Sequence, residues 1–377
     1  MIYCKKCLQP NTRPNIKFNE EGVCPGCLYA ATLVDVDWAS RQSILKEICE
    51  FGRAHNSSGY DCIIGVSGGK DSTRQALYVK HVLKLKPLLV SCIFPPEQIT
   101  HRGAYNVENM IKHGFDTVTI GPAPGIWREN MRHGFFKYGN WQKSTELALF
   151  STVPRLATAY QIPLIFWGEN PALTLGELGT NSLDYEGNQM KHGNTLAGGD
   201  PSWMFSDNIK LRDLLCYSYP SDEDMERAKL RIIYLGYFWK IWSKKDNGSF
   251  SCLHGLDIRD DRPEDMGDIM GVDALDEDWM NMNQMIKYRK FGFGRVTEFV
   301  NEEIRFGRMT REEGINLVTR YDGKISEKII ADYCRYLEIS VEEFHRVVDS
   351  FTNEEIFQRD ARGEWKLRYP IGGTHAQ

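Results

Sequence analysis

The stretch CIIGVSGGKDSTRQAL (residues 62–77) decides the fold. An apolar run is followed by two glycines, a lysine and a helical pattern. Such a run is typical of a buried parallel strand, and glycines before a helix leave backbone N–H groups free for a phosphate. The Walker pattern does not fit, because Ile64 stands where its first glycine belongs and Asp71 where Ser or Thr belongs. The loop therefore predicts a phosphate site of another kind.

Strand and helix patterns alternate downstream of this loop. Apolar runs at residues 87–94, 116–121 and 163–170 predict further strands, and helices are expected over 72–85, 104–113, 125–137 and 144–160. Repeated strand–helix–strand units form a parallel sheet with helices on both faces. Ligands bind beyond the carboxyl ends of such strands, where SGGKDS (67–72) and GEN (168–170) both fall. We expect a doubly wound α/β domain.

Four cysteines near the N-terminus have the spacing C-x2-C-x16-C-x2-C: Cys4, Cys7, Cys24 and Cys27. Two such knuckles can place four thiolates tetrahedrally around Zn²⁺. An iron–sulfur or redox role stays open, as do four unrelated cysteines. The spacing favours a structural zinc that stabilises this poorly apolar segment.

Three regions follow from these patterns. Residues 1–35 are expected to form a zinc-ribbon-like element, 36–245 the α/β domain with an irregular insertion at about 171–222, and 246–377 a mostly helical region. A helix is predicted over 223–242, and helices should dominate 275–358.

Composition narrows the class of protein. The 377 residues are 42% hydrophobic, enough for a sizeable core. The formal net charge of −5 lacks the basic excess of nucleic-acid-binding proteins, although a local basic groove stays open. No apolar run reaches the ~18 residues of a membrane span, and the opening MIYCKKC lacks a signal-peptide pattern. We therefore expect a soluble cytoplasmic protein without membrane or nucleic-acid partners.

The loop chemistry points to a phosphate polyanion that is bound together with a cation. Gly68 and Gly69 let backbone N–H groups approach phosphate oxygens, Ser67 and Ser72 can donate hydrogen bonds, and Lys70 can neutralise charge. A carboxylate beside a polyanion requires a cation between them, so Asp71 is assigned to Mg²⁺.

In this context SGGKDS resembles the PP-loop of the N-type ATP pyrophosphatases, whose fold is similar to that of the adenine nucleotide α-hydrolases. The resemblance implies ATP as cofactor and cleavage between its α- and β-phosphates, with the loop holding the departing pyrophosphate. It also implies adenine near the end of the second strand, around Ser91 and Phe94.

Nearly the whole chain resembles the N-acetyl sugar amidotransferase family (WbpG/PseA-like). The resemblance rests on four segments: YCKKCLQPNTRPNIKFNEEGVCPGC (3–27), GVSGGKDS (65–72), FWGENP (166–171) and KYRKFGFGRVTEFVNEEIRFGRMTREEGINLVTRYDGK (287–324). It implies ATP-dependent conversion of a sugar acetamido group to an acetamidino group, in the biosynthesis of lipopolysaccharide O-antigen or nonulosonic acids. The implied substrate is an anionic acetamido sugar.

Two other classes remain open. The tRNA thiolases also combine a PP-loop with CxxC pairs, but they commonly use further cysteine pairs, and no other CxxC occurs here. Cys252 is the one remaining cysteine predicted in an exposed, active-site-like loop, where an ordinary surface cysteine is the simpler interpretation. A nucleotide-binding regulator of the universal-stress type shares the fold class but would lack SGGKDS.

The source of ammonia is not visible in the chain. A class II glutaminase needs Cys after the initiator Met, where Ile2 stands, and the G-x-C-x-G elbow of a class I glutaminase is missing. The resemblance implies a partner pair similar to the glutaminase and cyclase subunits of imidazole-glycerol-phosphate synthase.

Other polar residues are candidates for the site. Glu169 and Asn170 end the fourth predicted strand and could bind Mg²⁺ or the acetamido group, or serve as a turn with a helix cap. Cations could bind an anionic sugar, unless they belong to a solvated helix end: Arg289, Lys290 and Arg295. Further candidates for substrate contact are Trp203, Trp167, His192 and Asp200, with a core role favoured for Trp167.

Overall fold

Five parallel strands form one sheet in the computed structural model, which describes residues 1–178, 183–193 and 196–373. The strands are β1 (Cys62–Gly65), β2 (Pro87–Cys92), β3 (Thr117–Ile120), β4 (Leu164–Trp167) and β5 (Arg231–Tyr234). Their spatial order is β3-β2-β1-β4-β5. The chain builds outward from β1 to β3 and then returns to β4 on the other side of β1. The strand order thus reverses between β1 and β4, and the predicted doubly wound α/β fold is confirmed.

Helices cover both faces of the sheet. The helices that accompany it are α1 (Pro25–Thr32), α2 (Trp38–Ala54), α3 (Lys70–His81), α4 (His101–Lys112), α5 (Pro124–Tyr138), α6 (Gln142–Tyr160), α7 (Pro171–Thr174) and α8 (Asp222–Arg227). Side chains alternate along β1, so Ile64 packs in one core with Val79 of α3 and Ile63 packs in another with Val153 of α6. Burial on both faces explains why β1 is a continuous apolar run.

The prediction of a helix over residues 223–242 is wrong. The segment begins with the short helix α8, continues into β5 and ends in a 3-10 turn, Leu235–Phe238. The residues RIIY (231–234) pair with β4, and Ile232 and Ile233 are both buried. A run of four residues carries no clear period, so only pairing with β4 distinguishes it from part of a helix.

The region of the expected insertion contains α7 and short 3-10 helices in the described residues, at Met190–His192, Ala197–Gly199, Ser202–Met204 and Leu211–Tyr217. Residues 179–182 and 194–195 of that insertion lie outside the described residues, as does the end of the tail, 374–377.

The C-terminal region is helical, as predicted. Its helices are α9 (Lys244–Leu253), α10 (Pro263–Met266), α11 (Trp279–Phe291), α12 (Arg295–Arg305), α13 (Arg311–Tyr321), α14 (Glu327–Leu337) and α15 (Val341–Ser350). The tail, for which no pattern is evident in the sequence, forms a small hairpin of β6 (Phe357–Arg359) and β7 (Trp365–Leu367). Across the part of the chain that the structure describes, no helix is both long and apolar enough to cross a membrane.

Candidate active site

The SGGKDS loop connects β1 to α3 at the point where the strand order reverses. Gly68 has φ +78°, and a Cβ there would lie 2.8 Å from the backbone nitrogen of Val107, so this position requires glycine. No side chain caps the N-terminus of α3, which begins at Lys70. The N–H groups of its first turn are therefore available to an anion, and the helix dipole favours negative charge there.

A buried carboxylate gathers three cations beside this loop. Asp273 accepts a hydrogen bond from Lys70, and its Oδ2 lies 2.6 Å from Lys244 Nζ and 2.9 Å from Arg295 Nη1. Burial alone would raise the pKa of Asp273, but Lys244, Lys70 and Arg295 together hold it well below its ordinary value. The cluster carries more positive than negative charge and is suited to phosphate groups.

Asp71 stands at the exposed side of this cluster. Its Oδ2 lies 2.8 Å from Lys70 Nζ, and its Oδ1 accepts a hydrogen bond of 2.6 Å from Asn247 Nδ2 on α9. Mg²⁺ is commonly held by one or two carboxylates and the phosphates of its nucleotide. Asp71 could be one such carboxylate, and the carboxyl group of Glu169 is close enough for their charges to interact.

The first cavity, of about 310 Å³, extends from the loop over the ends of β1, β2 and β4. Loop residues suited to bind phosphate line one end: Ser67, Gly69, Lys70, Asp71 and Ser72. Apolar side chains line the other end, among them Phe94 and Trp167. Ser91 does not line it; because side chains alternate along a strand, Val90 and Cys92 face the cavity instead. The adenine contacts expected around Ser91 are to the backbone, and they stay a prediction.

The second cavity, of about 260 Å³, lies between the N-terminal element, α7 and α12. It shares four side chains with the first: Lys70, Asp71, Glu169 and Asp273. The remaining lining residues are mostly polar: Gln9, Arg13, Asn170, Thr174, Leu175, Trp242, Lys244, Glu298, Asn301, Glu302 and Arg305. Groups bound in the two cavities would therefore meet at the shared side chains.

Two carboxyl groups on the second cavity have raised pKa values. Glu169 is exposed to solvent on the side that faces the cavities. Desolvation by the surrounding protein, followed by the charge of Asp71, raises the pKa of Glu169 to about 7. Burial likewise raises the pKa of Glu302 to about 7. Groups that titrate near neutrality can exchange protons during a reaction.

Two of the residues predicted from the sequence lie at the site: Arg295 beside Asp273, and Asn170 in the wall of the second cavity. The Asn170 side chain also caps α7 by accepting a hydrogen bond of 3.2 Å from Leu173 N, as one of the sequence interpretations expected.

Several other residues predicted to contact substrate lie outside both cavities. Arg289 pairs with Asp349 at 3.0 Å, Lys290 donates to the carbonyl of Tyr138 at 2.7 Å, and Trp203 packs beside His133 and Tyr138. A helix presents neighbouring residues on different sides, so Arg289 and Lys290 of α11 face other helices instead of a cavity. His192 and Asp200 line neither cavity. Cys252 is exposed but lies on α9, not in a loop.

The N-terminal cysteines form one buried cluster. The sulfur atoms of Cys4, Cys7, Cys24 and Cys27 lie within 4.8 Å of one another, and those of Cys7 and Cys24 are 3.6 Å apart. Tetrahedral coordination with Zn–S bonds of about 2.3 Å requires sulfurs roughly 3.8 Å apart. None of the four is in a disulfide. The donor set therefore fits a structural zinc.

Arg305 connects this cluster to the second cavity. Its Nη2 lies 3.6 Å from Cys24 Sγ, and its Nη1 donates at 3.0 Å to the carbonyls of Leu173 and Thr174. Its positive charge offsets the negative charge that thiolate ligands carry. The cysteine cluster therefore positions one wall of the cavity.

Sequence patterns missed several of the site residues. Asp273, Lys244 and Asn247 come from the segment after β5, and Asn301 and Glu302 come from α12. They carry no motif and reach the loop only through tertiary folding. The acidic segment GVDALDED (271–278) would be the one available signal, and it does not distinguish Asp273 from its neighbours.

Fold and site together define a doubly wound α/β protein. Its glycine loop, at the point where the strand order reverses, is suited to bind an anion, and its four-cysteine cluster fits zinc. Residues 274–369 match a family model described as the C-terminal domain of WbpG-like lipopolysaccharide (LPS) biosynthesis proteins. The match supports the resemblance to the WbpG/PseA-like family and indicates a role in LPS biosynthesis. Among curated proteins, no sequence is similar enough to match the chain.

Proposed function

We propose that the protein is an ATP-dependent amidotransferase that converts a sugar acetamido group to an acetamidino group and releases AMP and pyrophosphate. The observation that carries the proposal is the junction of two cavities at Lys70, Asp71, Glu169 and Asp273. A reaction that joins a nucleotide to an acceptor needs two such compartments with a shared wall. The WbpG-like C-terminal match supports a sugar of surface polysaccharides as the acceptor.

The proposed chemistry has two steps. The acetamido oxygen attacks the α-phosphorus, the bond to the β-phosphate breaks, and pyrophosphate leaves. Ammonia then adds to the imidate carbon, and AMP departs with the former acetamido oxygen. The ammonium nitrogen formed on addition gives one proton to a base of the site, and the product leaves as an amidinium cation that keeps the other three N–H protons.

The residues of the first step act through charge and position. The first turn of α3 and Lys70 would bind the phosphates and offset the charge of the departing pyrophosphate. Lys244 and Arg295 would add positive charge behind Lys70 through their contacts with Asp273. Asp71 would hold Mg²⁺, which supplies charge neutralisation at the phosphates when bound. Because the amide oxygen is a weak nucleophile, alignment at the α-phosphorus should matter more than removal of a proton.

Glu169 is suited to the second step. Addition of ammonia produces a cationic nitrogen that must lose a proton before AMP departs. Glu169 lines both cavities, and its pKa near 7 lets it accept a proton at neutral pH.

Ammonia is proposed to come from a partner. The chain carries neither glutaminase signature, so we expect delivery by a glutaminase and cyclase-like pair. Ammonium salt should replace this pair in vitro, whereas glutamine alone should not. Equal rates with glutamine alone would contradict this part of the proposal.

One observation weighs against thiolation of tRNA. Of the cysteines in the described residues, Cys92 alone lines either cavity. Burial raises the pKa of Cys92 to about 12, so little of the nucleophilic thiolate exists at neutral pH. No cysteine in the described part of the two cavities is therefore suited to carry sulfur.

The test combines ATP, Mg²⁺, ammonium salt and candidate acetamido sugars with the protein, followed by mass spectrometry. AMP, pyrophosphate and a sugar product lighter by one mass unit, with NH in place of O, support the proposal. ADP as the nucleotide product would refute it.

A further inference from the structure

The second cavity has polar side chains without partners in the folded chain. Asn301 is 1% exposed, and its Oδ1 accepts a hydrogen bond of 2.7 Å from the backbone N–H of Leu8. That contact fixes the amide and leaves the Nδ2 donor buried with no partner among the described residues. The Nε donor of Arg305 is in the same state. Because an unsatisfied buried donor costs about 1–3 kcal/mol, these groups indicate a missing hydrogen-bond acceptor.

The walls of this cavity limit what it can bind. Its volume of about 260 Å³ is slightly below the ~300 Å³ at which pockets for drug-sized ligands begin, so it suits one small ring. Leu175 and Trp242 provide apolar surface, and the other groups are hydrogen-bond donors or carboxyls. This combination suits an oxygen-rich ring with apolar C–H faces.

The positive and negative side chains that line the second cavity are nearly equal in number. Arg13 is already paired with Glu298 at 2.8 Å, and Lys244 is paired with Asp273 at 2.6 Å. In the described lining, four cationic side chains stand against five carboxyl groups, so the cavity has no excess of positive charge: Arg13, Lys70, Lys244 and Arg305 against Asp71, Glu169, Asp273, Glu298 and Glu302. A second phosphate chain is a poor occupant, whereas hydroxyl, carbonyl and single carboxylate oxygens are good ones.

We propose that the second cavity is the acceptor site and that it holds the acetamido sugar ring, with Asn301 Nδ2 donating to one of its oxygens. This assignment rests on the proposed function, because it takes the substrate class from it. The ring then lies between the cysteine element and α12, and its acetamido group reaches Glu169 and the loop at the wall shared with the nucleotide cavity.

The variant that tests the donor is Asn301→Asp. The carboxylate retains the oxygen that accepts from Leu8 N–H and replaces the Nδ2 donor with a second acceptor. Asn281→Asp is the matched control, since Asn281 on α11 is also 1% exposed with an Nδ2 that has no partner among the described residues, but lines neither cavity. A second variant, Leu175→Trp, fills the cavity without removing any polar group.

Binding is measured by calorimetry with saturating α,β-methylene-ATP present, so that the nucleotide cavity is occupied. The acceptor probes are pseudaminic acid, legionaminic acid and a UDP-linked diacetamido uronic acid, of which only the diacetamido ring is expected inside the cavity. We expect one probe to bind the wild type and to bind Asn301→Asp and Leu175→Trp at least about tenfold more weakly, as for loss of one strong hydrogen bond. Asn281→Asp should bind it as the wild type does.

Affinity for α,β-methylene-ATP and for pyrophosphate, measured separately, should not change in Leu175→Trp. Absence of binding by all three probes, or binding of a probe to both cavity variants with the wild-type affinity, overturns the inference. Weaker nucleotide or pyrophosphate binding in Leu175→Trp would assign the cavity to the phosphates and overturn it as well. Binding as expected without formation of AMP would instead refute the proposed reaction and leave the acceptor site standing.

Discussion

Arg295 Nη1 lies 2.9 Å from Asp273 Oδ2, and through this contact α12 joins the glycine loop. Asp273 immediately precedes the WbpG-like match, and Arg295 lies within it. Because Asp273 also contacts Lys70, one buried carboxylate connects the α/β domain to the C-terminal region. The phosphate site is therefore complete only when both regions are folded against each other.

Replacement of Asp273 should destabilise the free protein. In Asp273→Asn the side chains of Lys70, Lys244 and Arg295 lose their shared counter-charge, and breaking a buried ion pair in this way costs about 3–5 kcal/mol. Pyrophosphate should restore part of the loss, because it supplies negative charge to the same cations. Urea unfolding with and without pyrophosphate measures both effects.

The sign of the pH dependence follows from the lowered pKa of Asp273. A lowered carboxyl pKa contributes stability above the ordinary value near 3.8 and loses it as the pH falls through the folded-state value. The stability difference between wild type and Asp273→Asn should therefore be constant at neutral pH and shrink in acid. A pH-independent difference down to acid unfolding would contradict the ion cluster.

Replacement of Lys70 or Asp71 should stop turnover while the fold persists. In Lys70→Ala the carboxylate of Asp273 keeps Lys244 and Arg295 as partners, and Asp71 is on the open side of the site. Loss of one preorganised charge at a transition state typically costs a factor of about 10²–10³. Release of AMP measures activity and circular dichroism measures folding; a folded Lys70→Ala or Asp71→Asn protein with near-normal turnover would exclude the assigned roles.

Glu169→Gln separates activity from stability. In the wild type, turnover should rise with pH through about 7, where Glu169 becomes the ionised base, and the variant should lose this rise. Since the raised pKa of Glu169 contributes stability below its ordinary value near 4.5 and loses it as the pH passes 7, the variant should gain stability over the wild type above pH 7. Melting temperatures at acid and alkaline pH check this, and an unchanged difference between the two conditions would rule it out.

Zinc bound by the cysteine cluster is expected to stabilise the second cavity more than the first. Arg305, which contacts Cys24 and the carbonyls of Leu173 and Thr174, lines the second cavity but not the first. Cys24→Ser should lower the zinc content and the melting temperature, with a smaller effect on binding of α,β-methylene-ATP. Metal analysis, calorimetry and thermal melting provide the three measurements.

Cys252→Ser is the matched control for this cysteine replacement, because Cys252 is exposed on α9 and outside the cluster. Zinc content and AMP formation should equal those of the wild type. Loss of activity in Cys252→Ser would point to sulfur chemistry and revive the thiolation alternative.

Local chemistry explains which features the sequence predicts. The glycine loop and the cysteine knuckles are each contained in a few neighbouring residues, so backbone geometry and ligand spacing are visible in the residue order. Strand β1 is also predictable, because burial on both faces requires an apolar run. The RIIY strand is not, since it is short and its state depends on pairing with β4.

The second half of the site depends on distant contacts. Lys70 and Asp273 are separated by 203 positions, and Leu8 and Asn301 by 293. Nothing in the local pattern marks these residues, because an acidic loop residue or a helical asparagine has many ordinary roles. The same reasoning explains why two cations that are prominent in the sequence lie away from both cavities: Arg289 pairs with Asp349, and Lys290 donates to the carbonyl of Tyr138 on α5.

The most direct test of the central claim follows the acetamido oxygen. The wild-type protein is given ATP, Mg²⁺, ammonium salt and an acetamido sugar whose acetamido oxygen is replaced by the heavy isotope. If this oxygen attacks the α-phosphorus, the label appears in AMP and the sugar product carries nitrogen in its place. Label that remains in the sugar while nucleotide is consumed, or ADP in place of AMP, would contradict the account.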